Sequence, residues 1–483
     1  MTISQAFNSA LSGLTAAGRA SGIIADNISN SLTPGYARRS LEVTSNTSTG
    51  HGVSLVGLSR HSDPTLIANR RAAEANYESA KALAGFHTRY QSLIGGPTES
   101  TSLSARVSSF EKSLIEAASN PTSKTRLDTV ALRARDLSQS LNTASEGVRT
   151  MRSSADRSIG QLVNELNSNL QQVQKLNEQI LSVGSKNSNT ASLMDQRQLV
   201  IDRINEIVPI NVIQRDYGRV ALYSNNGAIL LDGNAARIGF DITGETMPHM
   251  TVGNGLLSDV TINGLQVHST GNRSPISGGL LAAQFEIRDV LAVEAQANLD
   301  AVARDLIERF EENGIDPTVA PGDPGLFTDQ GSALSPSAET GLAGRVRLNS
   351  VVDPTDAGET WRLRDGLGTA APADVGQSRQ LQSFSDALER PKALGSGGFS
   401  TGLLTAAGVS MALMSKAAAA SQEFEQKVSF ASSAKTETER LSAAGGVDTD
   451  AEIQSLMLIE RSYAANARVM EAVDDMLDKL MRL

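Results

Sequence analysis

An apolar pattern at both ends of this chain is the strongest constraint on its fold. Its residues alternate spacings of four and three, which is typical of a helix face in a coiled coil. The N-terminal apolar pattern comprises Ile3, Phe7, Ala10, Leu14, Ala17, Ser21, Ile24 and Ile28. The C-terminal apolar pattern comprises Leu456, Ile459, Tyr463, Asn466, Met470, Val473, Leu477 and Leu480. The sequence therefore predicts two terminal helices that pair with each other and with neighbouring copies.

Two ordinary amphipathic helices on the core of one chain would show the same periodicity. Each pattern, however, reaches or nearly reaches an end of the sequence, where a monomer has little core to offer. Asn466 is polar within the C-terminal apolar pattern, and a lone Asn there commonly fixes register or partner choice at a cost in stability. Thr449 and Glu452 follow Gly445-Gly446 and have the spacing of a capping box, which predicts the start of the C-terminal helix.

A turn interrupts the helical pattern at Thr33 to Tyr36, in the segment "IADNISNSLTPGYARR". Pro34 presets φ for the second position of a turn, and Gly35 accepts positive φ at the third, so a type II turn is predicted. Arg38 and Arg39 follow directly. We expect these two arginines to contact carboxylates of a partner subunit or water, rather than a phosphate, in a chain that is acidic overall.

Helical periodicity continues from about Pro64 to Val208, which predicts long helices in a bundle. One stripe in this region consists of Ile159, Leu162, Leu166, Leu170, Val173, Leu176 and Ile180. From Pro209 to about Pro275 the apolar residues come instead in short β-branched runs. Asn226-Gly227 and Asn263-Gly264 are predicted hairpin turns between them.

Further helices are predicted from Gly279 to Glu312 and from Leu403 to Leu441. Between them lie a loop rich in Gly, Pro and Asp, predicted strands from Gly344 to Asp365 that include Trp361, and a Gly/Ser linker from Gly395 to Gly402. The predicted fold is mainly α with β-rich insertions, multidomain and nested. Its predicted parts are a terminal coiled-coil assembly domain (1–62 with 441–483), a helical bundle domain (63–208 with 277–313 and 396–440), a β-rich region (209–276) and a mixed β-containing outer insertion (314–395).

Composition narrows the classes of partner. Lys and Arg number 43 against 53 Asp and Glu, and the resulting net charge of −10 disfavours nucleic acid and anionic membranes as partners. The absence of cysteine excludes disulfides, thiolate catalysis and Cys-ligated metals. No stretch approaches the roughly twenty apolar residues of a membrane span, and the first residues lack the features of a Sec-type signal. We therefore expect neither membrane insertion nor Sec-type export.

The motif "GFSTG", Gly398 to Gly402, is the one match to a catalytic pattern, the nucleophile elbow of hydrolases around Ser400. All five histidines precede Ser400, whereas the elbow needs its His later in the chain, and a linker rather than a strand leads into the motif. The acidic loop with Asp316, Asp323 and Asp329 lacks the alternating carboxylates and central Gly of an EF-hand. We expect no enzymatic activity, no metal and no cofactor.

The terminal segments resemble a known family. "SGLTAAGRASGIIADNISNSLTPGYARR", Ser12 to Arg39, resembles the N-terminal signature of the bacterial flagellar rod, hook and hook-associated proteins, with Asp26 where that family usually has Asn. "VDTDAEIQSLMLIERSYAANARVMEAVDDMLDKLMRL", Val447 to Leu483, resembles the C-terminal signature. Two signatures, each at its proper end, are more specific than either alone.

The interior resembles the hook-associated members of that family. The segments that carry this resemblance are "ASLMDQRQLVIDRINEIVPINV" from Ala191, "NPTSKTRLDTVALRARDLSQSL" from Asn120, the helix around Arg288 and "GLF" at Gly325. A rod or hook protein would become β-rich soon after its N-terminal signature, whereas this chain stays helical. The resemblance is weak from Ser332 to Gly395. A hook or rod axial protein and, in a different class, a hydrolase using Ser400 are the alternatives.

The resemblance implies an adaptor ring that joins the flagellar hook to the filament, exported unfolded through the flagellar type III channel. The implied partners are further copies of the chain, the hook protein, the next hook-associated protein on the filament side and a cytoplasmic export chaperone at the C-terminal helix. The implied location is extracellular, and cytoplasmic before export. Because a monomer cannot bury the terminal patterns, we expect the end helices to be frayed in solution and to fold against neighbours.

The candidate site is therefore a subunit interface built from both ends of the chain. From the C-terminal end it takes every residue of the C-terminal apolar pattern. Its N-terminal members are Ile3, Phe7, Leu14, Ile24, Asn27, Ile28, Asn30, Pro34, Gly35, Tyr36, Arg38 and Arg39.

Overall fold

The computed structural model describes residues 2–46, 51–96, 98–183, 188–271, 273–398 and 402–481. Helices make up 61% of the chain, which confirms the prediction of a mainly α fold with small β insertions. The helices are α1 (Ile3–Ser29), α2 (Pro64–Ile94), α3 (Leu103–Ser119), α4 (Lys124–Val183), α5 (Ser188–Ile207), α6 (Gly279–Glu286), α7 (Ala292–Glu311), α8 (Arg362–Asp365), α9 (Arg379–Glu389), α10 (Ala406–Ala444) and α11 (Thr449–Met481). A π-helical turn, Ile287–Leu291, joins α6 to α7.

The strands are short and form four small sheets within the described residues. They are β1 (Arg39–Ser45), β2 (Val53–Arg60), β3 (Ile210–Gln214), β4 (Val220–Ser224), β5 (Ile229–Asp232), β6 (Asn234–Ala235), β7 (Ile238–Gly239), β8 (Thr261–Ile262), β9 (Leu265–Gln266), β10 (Phe327–Asp329) and β11 (Val346–Leu348). The sheet orders are β1-β2, β3-β4-β5-β6, β7-β8-β9 and β10-β11, and every pair is antiparallel.

The two ends of the chain form an antiparallel helix pair, α1 against α11. Near one end of the pair Asn27 contacts Glu452, and further along Gly13 lies against Asn466. Thr2 and Gln5 form a capping box that starts α1. The capping box predicted for α11 is wrong: Asp448 caps that helix by accepting from the amides of Asp450 and Ala451.

A β-hairpin that the sequence analysis did not predict lies beside α1. It pairs β1 with β2, with a bulge between Glu42 and Val43. The amide of Val53 donates to Oγ of Ser12, so the hairpin covers one side of α1. The sequence signal for these strands is the partial alternation of apolar and polar residues in "RSLEVTS" and "VSLVGLSR".

The 60-residue helix α4 is the longest of the described helices and contributes to both hydrophobic cores of the bundle. Its first half packs with α3 and α7 in one hydrophobic core, and its second half packs with α5, α6 and the β3–β6 sheet in another. The stripe from Ile159 to Ile180 is buried apart from the partly exposed Leu162, which confirms the periodicity prediction. The largest helix contact in the bundle is α2 against α10.

The segment 314–395 shares its core with the helices. Phe327 of β10 packs against Phe110 of α3 and Phe310 of α7, with ring centroids 5.7 Å and 5.3 Å apart. Phe384 of α9 adds a further ring 5.5 Å from Phe310. No break in the core therefore coincides with the proposed boundary at residue 314.

Two β predictions had different outcomes. Asn263 and Gly264 join β8 to β9 with φ of 52° and 82°, as a type I′ hairpin turn requires, so that prediction is confirmed. The predicted strands between Gly344 and Asp365 are wrong except for β11, since the chain then forms turns at Pro354 and Gly358 and the short helix α8.

None of the helices in the described ranges is long and apolar enough to cross a membrane. Ser400, the residue of the hydrolase alternative, lies outside the described residues.

Candidate functional site

Asn27, near the end of α1, is fully buried and uses both ends of its side-chain amide. Its Oδ1 accepts from the hydroxyl of Tyr36 at 2.8 Å and from the amide of Arg39 at 3.0 Å. Its Nδ2 donates to the carbonyl of Arg39 at 2.8 Å and to Oε2 of Glu452 at 3.1 Å. One amide side chain therefore joins α1, the segment after the turn, and α11.

Glu452, in the first turn of α11, is the second member of this cluster and only 1% exposed. Its Oε1 accepts from Nε of Arg38 at 2.6 Å, while its Oε2 faces Asn27. Arg38 contacts a carboxylate of its own chain, whereas the sequence analysis expected a carboxylate of a partner subunit or water. This charge-assisted hydrogen bond, in which Glu452 is buried and Arg38 is partly exposed, stabilises the packing of α11 beside the turn.

Arg39 continues the cluster to the bundle. Its Nη2 donates to Oδ2 of Asp195 on α5 at 2.6 Å, and Nε of Arg60 on β2 donates to the other oxygen of Asp195 at 2.8 Å. The Arg39 guanidinium also lies 4.7 Å from the ring centroid of Tyr36. Burial raises the pKa of the Tyr36 hydroxyl, which keeps it protonated as the donor to Asn27, and Arg39 acts in the opposite direction.

We call these six residues the polar node: Asn27, Tyr36, Arg38, Arg39, Asp195 and Glu452. Sequence reasoning selected the first four for an interface, placed Glu452 in a cap and missed Asp195. The only signal for Asp195 was its place in the Asp-Gln-Arg segment. Which carboxylate meets which arginine depends on elements far apart in sequence, so no local pattern could assign these pairs.

The turn at Thr33 to Tyr36 positions the polar node. The amide of Tyr36 donates to the carbonyl of Thr33 at 3.2 Å and Gly35 has φ of +76°, which confirms the type II turn with Pro34 at its second position. A Cβ on Gly35 would lie 2.7 Å from Cγ of Leu199, so the turn packs closely on α5. Asn30 ends α1, its Nδ2 donating to the carbonyl of Asp26.

The predicted apolar patterns face each other in the α1–α11 pair, and their residues are buried to different extents. Within α1, Ala10, Ala17 and Ile24 are buried, Ile3, Leu14, Ser21 and Ile28 are partly exposed, and Phe7 is exposed. Within α11, Val473 is buried, Leu456, Ile459, Asn466 and Met470 are partly exposed, and Tyr463, Leu477 and Leu480 are exposed. A Cβ on Gly13 would lie 2.7 Å from Nδ2 of Asn466, so the polar residue occupies the space left by a glycine.

A second apolar stripe runs along α11, beside the face that meets α1. It repeats the four-and-three spacing and consists of Leu458, Ser462, Ala465, Val469, Ala472 and Met476. Leu458 is 65% exposed, and Val469 and Met476 are also exposed. An open cavity of about 350 Å³ lies between this stripe and the start of α1, at Ile3 and Ala6. The second apolar stripe borders α1 at this cavity, and its large side chains remain in contact with solvent in the described chain.

Two of the three acidic residues considered for calcium, Asp316 and Asp329, have structural contacts. Asp316 is buried and accepts from the amides of Thr318 and Leu367, and Asp329 forms an ion pair with Arg345 at 2.8 Å. Across the part of the chain that the structure describes, no three His, Asp or Glu side chains are grouped as metal ligands.

Two family models match this chain. Residues 88–324 match the flagellar hook-associated protein FlgK helical domain, and residues 443–483 match the flagellar basal body rod FlgEFG protein C-terminal model. Together the two matches cover more than half of the chain, and the second contains the whole of α11.

Named relatives agree with the family models. Flagellar hook-associated protein 1 of Bacillus subtilis is 25% identical over 500 residues, covering 95% of this chain and 94% of the relative. The protein of the same name from Salmonella typhimurium is 29% identical over 248 residues, covering 49% of this chain and 44% of the relative. That from Escherichia coli is 26% identical over 244 residues, also covering 49% and 44%.

A solved structure, that of the flagellar hook junction protein FlgK from Burkholderia pseudomallei, aligns with a TM-score of 0.44 and 20% identity, covering 54% of this chain and 46% of that one. The family models and the relative that aligns along almost the full length agree on the assignment. The chain thus belongs to the flagellar hook-associated protein 1 family and is a structural component of the bacterial flagellum.

Proposed function

We propose that this chain is the adaptor that joins the flagellar hook to the filament, and that its copies assemble into a ring through α1 and α11. The observation that carries the proposal is the solvent exposure of the second apolar stripe of α11 at Leu458, Val469 and Met476. A helix with apolar residues on two adjacent faces packs with two neighbours. Within this chain α1 covers one face, so the other is free for a helix of an adjacent subunit.

The rest of the terminal pair fits packing between helices. Small residues, Ala465 and Ala472, alternate with larger ones along the second apolar stripe, so a neighbouring helix can approach closely. Burying Leu458, Val469 and Met476 on assembly would stabilise the ring by about 1.5–3 kcal/mol per fully buried large side chain. The role is structural, and no catalysis is part of it.

The partners follow from this position in the flagellum. We propose contacts with further copies of the chain, with the hook protein on one side and with the next hook-associated protein on the filament side. The apolar faces of α11 also suit an export chaperone in the cytoplasm, because an amphipathic helix can occupy a hydrophobic groove of one partner before it binds another. Export through the flagellar type III channel would then deliver the chain to the outside of the cell.

A deletion strain tests the proposal, with electron microscopy of the cells and an assay for flagellin in the medium. We expect hooks without filaments and flagellin shed into the medium, and restoration by the full chain. Ala472→Asp introduces a carboxylate into the second apolar stripe and should fail to restore filaments. Ala464→Asp introduces the same group at an exposed position of α11 outside the stripe and is the matched control.

Three outcomes would contradict parts of the proposal. Missing hooks in the deletion strain would assign the protein to the rod or hook. Normal filaments in the deletion strain would contradict the junction role. Full restoration by Ala472→Asp would contradict the role of the second apolar stripe in assembly.

A further inference from the structure

The buried interior of the bundle becomes polar halfway along α4. The inward-facing apolar residues of α4 up to Ala155 belong to one hydrophobic core, which we call the first core. Those from Ile159 to Leu176 belong to the other, the second core. Around this change Arg152, Ser153 and Asp156 are buried. Polar side chains therefore occupy the level at which α4 passes from one core to the other.

The π-helical turn between α6 and α7 lies at the same boundary. Phe285, before the turn, belongs to the second core, and Ile287, at its start, belongs to the first. The amide of Ala292 donates to the carbonyl of Ile287, five residues earlier. The carbonyl of the next residue, Arg288, accepts from Nε of Arg152 at 2.8 Å. Turns of this kind are rare and occur frequently at functional sites, so this one marks the boundary as a place to look for a role.

Arg288 and Asp156 connect the π-helical turn to α4. Both side chains are fully buried, and Nη1 of Arg288 donates to Oδ1 of Asp156 at 2.9 Å. Oδ2 of Asp156 accepts from the amide of Thr243 at 2.8 Å. Nη2 of Arg288 donates to the carbonyl of Ser258 at 3.0 Å, and Asp289 on the same turn balances its charge. The pair therefore also holds both ends of the loop between β7 and β8.

Arg152 and Ser153 hold the middle of the same loop. Arg152 donates from Nη1 to the carbonyl of Met247 at 3.0 Å and from Nη2 to that of Met250 at 2.6 Å. The amide of Thr246 donates to Oγ of Ser153 at 3.0 Å. The strands on either side of this loop contribute to the second core. We call this cluster of four residues the polar joint: Arg152, Ser153, Asp156 and Arg288.

We infer that the polar joint couples the two cores, so that they open as one unit, and that without it the second core opens alone. The apolar side chains form two separate clusters, so apolar burial by itself does not link them. Opening the second core alone would take the loop away from the polar joint, and losing hydrogen bonds to buried charged groups costs more than losing exposed contacts. A displacement of one core is therefore carried to the other. This inference does not rest on the proposed function.

Hydrogen exchange followed by mass spectrometry on the monomeric full chain, in urea concentrations below the unfolding transition, tests the inference. The helix α3 reports on the first core, and the α4 segment from Ile159 to Leu176 reports on the second. In the wild type we expect the largest protection factors of the two segments to agree within about threefold, because a single cooperative unit exposes both together.

Asp156→Asn weakens the polar joint with little change in side-chain volume. Both carboxylate oxygens of Asp156 accept hydrogen bonds, whereas an asparagine accepts at only one side of its amide. Either the contact with Arg288 or that with Thr243 is therefore lost. We expect the protection of the α4 segment from Ile159 to Leu176 to fall at least about tenfold relative to that of α3.

Asp305→Asn is the matched control. It also neutralises a buried carboxylate that accepts from an arginine, Nε of Arg309 at 2.7 Å, but both residues lie on α7. Their neighbours Leu306, Ile307 and Phe310 belong to the first core. The control should leave the ratio between the two segments as it is in the wild type.

Unequal protection of the two segments in the wild type would overturn the inference. So would an Asp156→Asn variant in which the two segments lose protection equally or not at all, or a separation of the same size in Asp305→Asn. Should Asp156→Asn fail to fold, Arg152→Lys is the second test. One ammonium group cannot replace the fork that reaches the carbonyls of Arg288, Met247 and Met250, so the same α4 segment should lose protection first, and equal losses would again overturn the inference.

Discussion

The helix pair α1–α11 and the helix α4 carry the same kind of apolar periodicity, yet they use it differently. Along α4 the periodic residues are buried from Leu127 to Ile180 against other parts of the same chain. Along α11 only Glu452 and Val473 are buried among the described residues. Periodicity therefore predicted a helix in both places. Whether the apolar face joins a core or stays available for another chain depends on how many other elements of the same chain pack against it.

The comparison also separates two uses of polar residues. In the bundle, polar side chains complete a continuous core: Arg288 is fully buried and its Nη1 lies 2.9 Å from Oδ1 of Asp156 on α4. In the terminal pair, buried polar contacts concentrate at one end, in the polar node. Bundle polar groups thus join elements that are already packed, whereas the polar node determines where an otherwise exposed helix begins to pack.

The same truncation in the two regions should have the most unequal effect. Leu166→Ala removes a fully buried side chain of α4, and we expect it to lower the free energy of unfolding by about 2–5 kcal/mol. Leu458→Ala removes the same atoms from a side chain that is 65% exposed, and we expect a change within about 0.5 kcal/mol. Urea unfolding of the monomeric full chain measures both.

For variants that remain folded, we expect Leu458→Ala to affect filament assembly more than Leu166→Ala does, which reverses the order of their effects on monomer stability. Leu458→Ala should weaken filament attachment in cells although the monomer is stable. A large loss of monomer stability from Leu458→Ala would show that the second apolar stripe is packed within the chain, and the contrast between the two regions would not hold.

Asp300 of α7 extends the comparison to pH. Its carboxylate accepts from the amides of Gly341 and Ala343 and from Nε2 of Gln296, and it is 2% exposed. Burial raises its pKa from the ordinary 3.8 to about 6, against the lowering effect of these hydrogen bonds. The folded chain therefore binds this proton more tightly than the unfolded chain does.

Stability from this group should accordingly be greatest below about pH 4 and fall as pH rises to about 6, by an amount on the order of 3 kcal/mol. Asp300→Asn should remove that fall from the pH dependence of the unfolding free energy. Asp374→Asn, at an exposed position, should leave the wild-type dependence intact. An unchanged pH profile in Asp300→Asn would mean that the carboxylate is not confined as the structure has it.

Gly35 lies where the two regions meet, and its contrast with a matched glycine should be the smallest difference between paired variants. Gly35→Ala introduces a Cβ at φ of +76° and against Leu199, whereas Gly227→Ala introduces one at φ of +88° with open space around it. Both variants carry the backbone strain, so the additional loss in Gly35→Ala, about 1 kcal/mol, measures the packing of the turn on α5. Equal losses in thermal or urea unfolding would show that the turn is not pressed on α5.

Much of the architecture could be read from local patterns. The helices of the bundle, the type II turn and the Asn263-Gly264 hairpin turn each depend on residues close in sequence, and each was predicted. The predictions from local sequence that were wrong involve competing signals. Asp448 takes the capping position in place of Thr449, and Pro354 and Gly358 interrupt the predicted strands. The β1–β2 hairpin was missed because its alternating pattern is short and follows a segment assigned to the terminal coiled coil.

By itself, the sequence determined that both ends are helical with apolar faces, that a turn follows the first of them, and that the interior is a helical bundle with β insertions. These properties follow from local periodicity and backbone preference. Only the tertiary structure decided that Glu452 meets Asn27 and Arg38, that Asp195 receives Arg39, and that one face of α11 stays open. Such contacts join residues up to 425 positions apart, and their energies depend on burial, which only the folded chain creates.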